Sequence, residues 1–184
     1  ASVDRPVTIA LLCDLQRIVA ESMKEIPADS GRVRTHQVMI GPKNAPIEEA
    51  RFVPPPPGDQ LRAGLDDWRA WTSESHPWPD IVTAGLSHYQ FESLHPFGDC
   101  NGRVGRLLIV HELLRAGVLS APYLTISSWL LKHRTEHQDQ LLQVSRTGDW
   151  NPWLHFFCTA LREQAMRHLD VAEDLLGHSA ESGH

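Results

Sequence analysis

Apolar positions along this chain recur mostly at helical spacing. Between Thr8 and Glu25, the residues Ile9, Leu12, Leu15, Ile18 and Met23 approximate one stripe, with Arg17 and Lys24 outside it. A helix is predicted there, broken by Ala28–Gly31. The rhythm then changes. Thr35–Ile40 and Ala50–Val53 are short strand-like runs around a Gly-Pro-Lys-Asn-Ala-Pro loop, which predicts a small β-hairpin over 35–53. Pro54–Pro57 ends the second run, because proline has no N–H to donate, and reads as a rigid connector.

Helical patterning dominates the remainder. Asp59 stands where it can cap a helix carrying Leu61, Leu65, Trp68 and Trp71. Pro79 suits a helix start, with Val82, Leu86 and Tyr89 on one face. Gly102–Ala116 carries Leu107, Leu108 and Leu114, and Gly117 is placed to stop it. Ser127–Arg146 predicts one or two helices, and Asn151–Leu176 a last long one opened by Pro152. The tryptophans at 68, 71, 78, 129, 150 and 153 read mainly as core or helix-packing residues, with Trp129 also a candidate stacking wall for a base. The expected fold class is all-α with a small β-hairpin flap. It is expected as one domain over residues 1–176, followed by a flexible polar tail at 177–184.

Composition narrows the function classes. Lys and Arg number 17 against 23 Asp and Glu, so a net charge of −6 excludes the general basic field on which non-specific nucleic-acid binding depends. No apolar run approaches the roughly 20 residues of a membrane span. Cys13, Cys100 and Cys158 are odd in number and far apart, which suits a reducing compartment. The expected setting is cytoplasmic, with neither nucleic acid nor membrane as partner.

The chemistry concentrates in His95-Pro-Phe-Gly-Asp-Cys-Asn-Gly-Arg-Val-Gly-Arg106. This segment joins one predicted helix to the next, so Asn101, Gly102 and Arg103 open a helix whose unpaired N–H groups and dipole favour an anion. Gly98 and Gly102 let the backbone approach a ligand closely. Arg103 and Arg106, three apart, share a helix face and can grip consecutive phosphates. Asp99 is a single carboxylate beside that turn, the kind of ligand Mg²⁺ takes along with phosphate oxygens and water. His95 brings the near-neutral pKa of a general base. Each residue alone has an ordinary structural explanation. Their combination within one loop points to phosphoryl or nucleotidyl transfer.

The segment resembles the Fic family signature, H-x-F-x-[DE]-[GA]-N-[GK]-R-x-x-R. The resemblance extends from about Leu12 to Leu161 and takes in Gln37–Gly41, Ala50–Pro57, His88–Glu92, Ser127–Trp129, Gly148–Trp150 and Trp153. It implies transfer of AMP from ATP to a Ser, Thr or Tyr hydroxyl of a target protein, with His95 as the base and Mg²⁺ on Asp99. By the same resemblance, Gly98, Cys100, Asn101, Gly102, Arg103 and Arg106 line the nucleotide site. Arg103 stabilises the phosphates, and Arg106 reaches the outer phosphate or braces the loop. Phe97 would be a buried anchor. The hairpin would be a flap on which the target docks by strand addition, at Val38, Met39, Ile40, Arg51, Phe52 and Val53. Val38 and Ile40 fit ordinary hairpin packing equally well.

Two departures stand out. Cys100 replaces the family's Gly or Ala, and an ordinary backbone conformation is expected there because Gly102 holds the more demanding position. A complete inhibitory motif, [ST]-x-x-x-[ED]-[GN], is absent; Thr159–Gln164 matches it in part, inside the last helix. The resemblance leaves inhibition to an upstream segment or a separate antitoxin. Three rivals remain. One is the same machinery with another donor, transferring UMP, phosphate or phosphocholine. Another is a non-catalytic binding module. The third is the string His133-Arg-Thr-Glu136-His137, which satisfies a zinc-protease pattern but lies in a wholly polar neighbourhood.

Overall fold

The computed structural model describes residues 6–42 and 46–181. Among them are seven α-helices: α1 (Ile9–Glu21), α2 (Asp59–Thr72), α3 (Asp80–Leu94), α4 (Asn101–Arg115), α5 (Ser127–Lys132), α6 (Arg134–Thr147) and α7 (Asn151–Glu181). The chain divides into two compact units, Ala1–Val118 and Leu119–His184.

In the first unit, α3 packs on α2 and α4, and α4 packs on α1. Its core joins Leu12 of α1, Leu61, Leu65 and Trp68 of α2, Phe91 and Leu94 of α3, and Val104 and Leu108 of α4. Phe97, fully buried, belongs to the same cluster. The anchor is therefore part of the core that holds the loop. In the second unit, α5, α6 and α7 pack together. Trp153, Phe156 and Phe157 are buried along α7, and Gln164 donates to the Thr125 carbonyl at 3.0 Å.

Several sequence expectations are corrected. The hairpin reduces to one antiparallel bridge, Ile40 with Phe52, and Ile47–Glu49 forms a 3₁₀ turn. Pro42 and Pro54, two residues beyond Ile40 and Phe52, bring no N–H to a ladder on either side of the bridge. Gln37 satisfies backbone there instead, donating to the Val38 and Pro54 carbonyls at 2.9 and 3.0 Å. The middle of the expected loop, 43–45, lies outside the described residues. Helix α1 ends at Glu21, and Gly58, not Asp59, occupies the cap position of α2. Ile18, Leu107 and Trp78, read as packing residues, are 56%, 44% and 47% exposed. Helix α7 continues into the segment read as a tail, of which 182–184 lie outside the described residues.

Candidate active site

Pro96 accounts for the end of α3. The residue before a proline is disfavoured in the right-handed helical region, and His95 turns left-handed, at φ 47° and ψ 60°. The chain then crosses a short loop and re-enters helix at Asn101. That loop is closed by Asn101, which is 2% exposed. Its Oδ1 accepts the Phe97 N–H at 2.9 Å and its Nδ2 donates to the Phe97 carbonyl at 2.8 Å. Asn101 therefore both starts α4 and fastens the buried anchor.

His95 Nδ1 lies 3.2 Å from the Glu92 carbonyl. A carbonyl can only accept, so that contact places the ring proton on Nδ1 and leaves Nε2 as the acceptor. Burial is the main cause lowering the His95 pKa to about 4, and the Arg34 charge adds to it; the Glu92 carbonyl and the Asp99 charge oppose. The imidazole is therefore neutral, the form a base requires. The Glu92 carboxylate is buried behind it, Oε2 4.0 Å from His95 Nδ1. Burial raises its pKa to about 7, against the pull of the Arg106 charge. Its Oε1 has no hydrogen-bond partner among the described residues.

Helix α4 begins without a side-chain cap. The N–H groups of Asn101 and Gly102 open its first turn, where helix geometry supplies no intrahelical acceptor. Cys100 precedes them with φ 70°, in the left-handed region, which corrects the expectation of ordinary backbone. A non-glycine residue there carries strain of about 1 kcal/mol. The buried Cys100 thiol contacts Met23 sulfur at 3.3 Å, and burial raises its pKa. It is a packed thiol.

Asp99 is exposed, and one of its oxygens accepts the Cys100 N–H at 2.5 Å. Arg103 is exposed and donates to Ser22 Oγ at 3.4 Å, whereas Arg106 is half-buried. A Cβ on Gly102 would lie 3.2 Å from an Arg106 guanidinium nitrogen, so Arg106 folds back over the start of its own helix. The two arginines share a helix but point to different neighbours. Gly98 is exposed, and a Cβ there would lie 2.6 Å from Asp29 Oδ2, so a larger residue would require the Asp29 side chain to move. The flap residues Val38, Met39, Ile40, Arg51 and Phe52 are half-buried and Val53 is 45% exposed.

Three supporting residues escaped sequence reading. Gln16, 1% exposed on α1, donates to the Asp99 carbonyl at 3.3 Å and accepts the Gly31 N–H at 2.5 Å. Its place between Leu12 and Ala20, four residues from each, was the available signal. Glu92 enters the sequence reading only as the end of the His88–Glu92 stretch of the family resemblance. Arg34 lies just before the Thr35–Ile40 run, where no sequence pattern marks it as buried, and it is 2% exposed.

The rival zinc string does not assemble. His133 sits at the break between α5 and α6, stacked on Trp129 at 4.0 Å, and His137 is buried near Trp153. No three metal-ligating side chains meet among the described residues. Glu163, in the partial inhibitory match, accepts the Trp129 indole N–H at 2.7 Å. Trp129 thus packs within its own unit.

Comparison with known proteins identifies what the whole chain is similar to. The sequence model of the Fic/DOC family matches residues 6–113. The protein adenylyltransferase Fic of Aedes aegypti is 34% identical over 72% of this chain and 24% of its own length. That of Drosophila willistoni is 30% identical over 92% of this chain and 30% of its own. The chain thus spans under a third of these relatives. A Fic family protein from Desulfovibrio desulfuricans superposes with TM-score 0.74 at 21% identity, over 94% of this chain and 49% of its own. A Fic domain containing signaling protein from Bacteroides thetaiotaomicron gives 0.69 at 20% identity, over 94% and 66%. At such identities these two likenesses establish the fold.

Proposed function

The chain belongs to the Fic/DOC family, and on that premise we propose that it transfers AMP from ATP to a Ser, Thr or Tyr hydroxyl of a protein. One observation carries this reading: a neutral imidazole, with Nδ1 engaged and Nε2 left to accept, stands at one end of a loop whose other end is a helix N-terminus. Proton acceptor and anion site therefore belong to the same turn. His95 Nε2 takes the hydroxyl proton as the oxygen attacks the α-phosphorus. The bond from that phosphorus to the bridging oxygen breaks, and pyrophosphate leaves with the electron pair. The Asn101 and Gly102 N–H groups, with Arg103, stabilise the phosphates and the departing charge. Arg106 braces the loop beside Glu92.

Asp99 suits Mg²⁺: it is a hard, exposed oxygen ligand, and a single carboxylate leaves the remaining positions for phosphate oxygens and water. Bound there, the ion would neutralise phosphate charge. The target segment docks against Val38–Ile40 and Arg51–Val53 around the Ile40–Phe52 bridge. Unpaired, buried or half-buried thiols at Cys13, Cys100 and Cys158 suit a cytoplasmic setting.

The test is incubation of the purified protein with ATP and Mg²⁺, then intact-mass spectrometry, with His95→Ala alongside. One added AMP on the parent and none on the variant supports the reading. Nucleotide binding by calorimetry without any adduct, on itself or on lysate proteins, favours the non-catalytic module. An adduct formed only with UTP, a phosphoryl donor or CDP-choline identifies another donor.

A further inference from the structure

Arg34 is among the largest fully buried side chains, at 2% exposure. Its guanidinium donates from Nε to the His95 carbonyl at 2.8 Å and from one terminal nitrogen to the Leu94 carbonyl at 3.4 Å. Its own backbone N–H donates to the Pro96 carbonyl at 2.9 Å. One residue thus engages three consecutive carbonyls across the end of α3, where helix geometry leaves acceptors unpaired and the dipole is negative. The same guanidinium donates to the His36 carbonyl at 3.1 Å and the Pro55 carbonyl at 2.6 Å, on either side of the Ile40–Phe52 bridge.

We propose that Arg34 is the positioning residue of the catalytic base: its fork of donors fixes His95 in the left-handed conformation that places Nδ1 against the Glu92 carbonyl. This rests on His95 being the base, as read above. His95 has a Cβ, so holding φ 47° costs about 1 kcal/mol that the surroundings must offset. Pro96 disfavours the right-handed helix but does not select the left-handed alternative. Arg34 selects it, by binding carbonyls that converge only in this turn. A lysine offers a point charge in place of a planar fork and cannot reach the same set. Burying a guanidinium is otherwise costly, and here its four hydrogen bonds to carbonyls compensate.

The experiment compares the full chain with Arg34→Lys and Arg34→Gln, reading kcat and KM for ATP in self-adenylylation. Nitrogen-15 NMR of the histidine rings is read alongside, with the His95 signal assigned through His95→Gln. The expected parent spectrum has a single Nδ1–H tautomer for His95. In both variants that signal spreads into mixed tautomers and kcat falls by roughly 10²-fold with KM little changed, as for a misplaced reacting group. An unchanged kcat, or a rise in KM alone, overturns the proposal. If the parent transfers no AMP, the activity reading has failed and the spectrum alone decides: a parent-like His95 signal in the variants overturns the positioning role, and a dispersed one supports it. Should Arg34→Gln fail to fold, the same two outcomes are read from Arg34→Lys, which keeps the charge.

Discussion

Asn101 and Phe97 are joined by two hydrogen bonds, of 2.9 and 2.8 Å, between one side-chain amide and one residue's backbone N–H and carbonyl. Both partners are buried. Asn101→Ala strands the two backbone groups without access to water, so it should cost about 3 kcal/mol of stability. Urea denaturation of parent and variant measures this. A loss below about 0.5 kcal/mol, within the range of an ordinary surface change, would mean that the loop is held by something else.

Cys100 makes a second prediction through its backbone. Cys100→Gly removes left-handed strain of about 1 kcal/mol, while glycine's extra chain entropy costs about as much. Near-neutral stability is therefore expected. Cys100→Val puts a β-branched side chain at φ 70° and should lose about 2 kcal/mol or more. Melting temperatures ranking Val equal to Cys would contradict the left-handed assignment.

Gly105 supports Glu92 sterically. A Cβ there would lie 2.6 Å from Glu92 Oε1 and 3.0 Å from His88 Cε1, so Gly105→Ala forces a buried carboxylate and a buried imidazole to move. The expected cost is about 1–3 kcal/mol. Combining it with Glu92→Ala relieves the nearer collision, so the double variant should be more stable than the two single losses predict, by about 1 kcal/mol. Strict additivity in a denaturation cycle would show that the two positions do not touch.

Glu92 and His95 oppose each other in their dependence on pH. The folded Glu92 pKa, about 7, lies above its ordinary 4.5. The native state therefore holds more protons than the unfolded one in that window, and this contribution falls as pH rises. The folded His95 pKa, about 4, lies below its ordinary 6.5, so its contribution rises with pH between those values. The two slopes nearly cancel where the windows overlap. Glu92→Gln should leave stability rising from about pH 4 to 6.5, and His95→Gln should leave it falling from about pH 4.5 to 7. Chemical denaturation at half-unit pH steps reads both slopes, and parallel curves for the two variants would refute the assignment.

The sequence by itself determined the helical architecture and singled out one candidate segment for the chemistry. Both rest on local physics. A 3.6-residue apolar period defines a helix face, and a loop-to-helix turn gathers His95, Asp99, Asn101, Gly102, Arg103 and Arg106 within one short stretch. Tertiary structure decided what lay outside that range. The expected hairpin contracted to one bridge, because Pro42 and Pro54 bring no N–H to the ladder and Gln37 bonds locally instead. Arg103 and Arg106, predicted as a pair on one face, meet different neighbours: Arg103 donates to Ser22 Oγ, and Arg106 folds over Gly102. Arg34, which no sequence pattern marks as buried, is enclosed only when the chain brings carbonyls some sixty residues away around it. Burial sets the His95 and Glu92 proton affinities, and it arises only when distant segments pack together, so no local pattern encodes it.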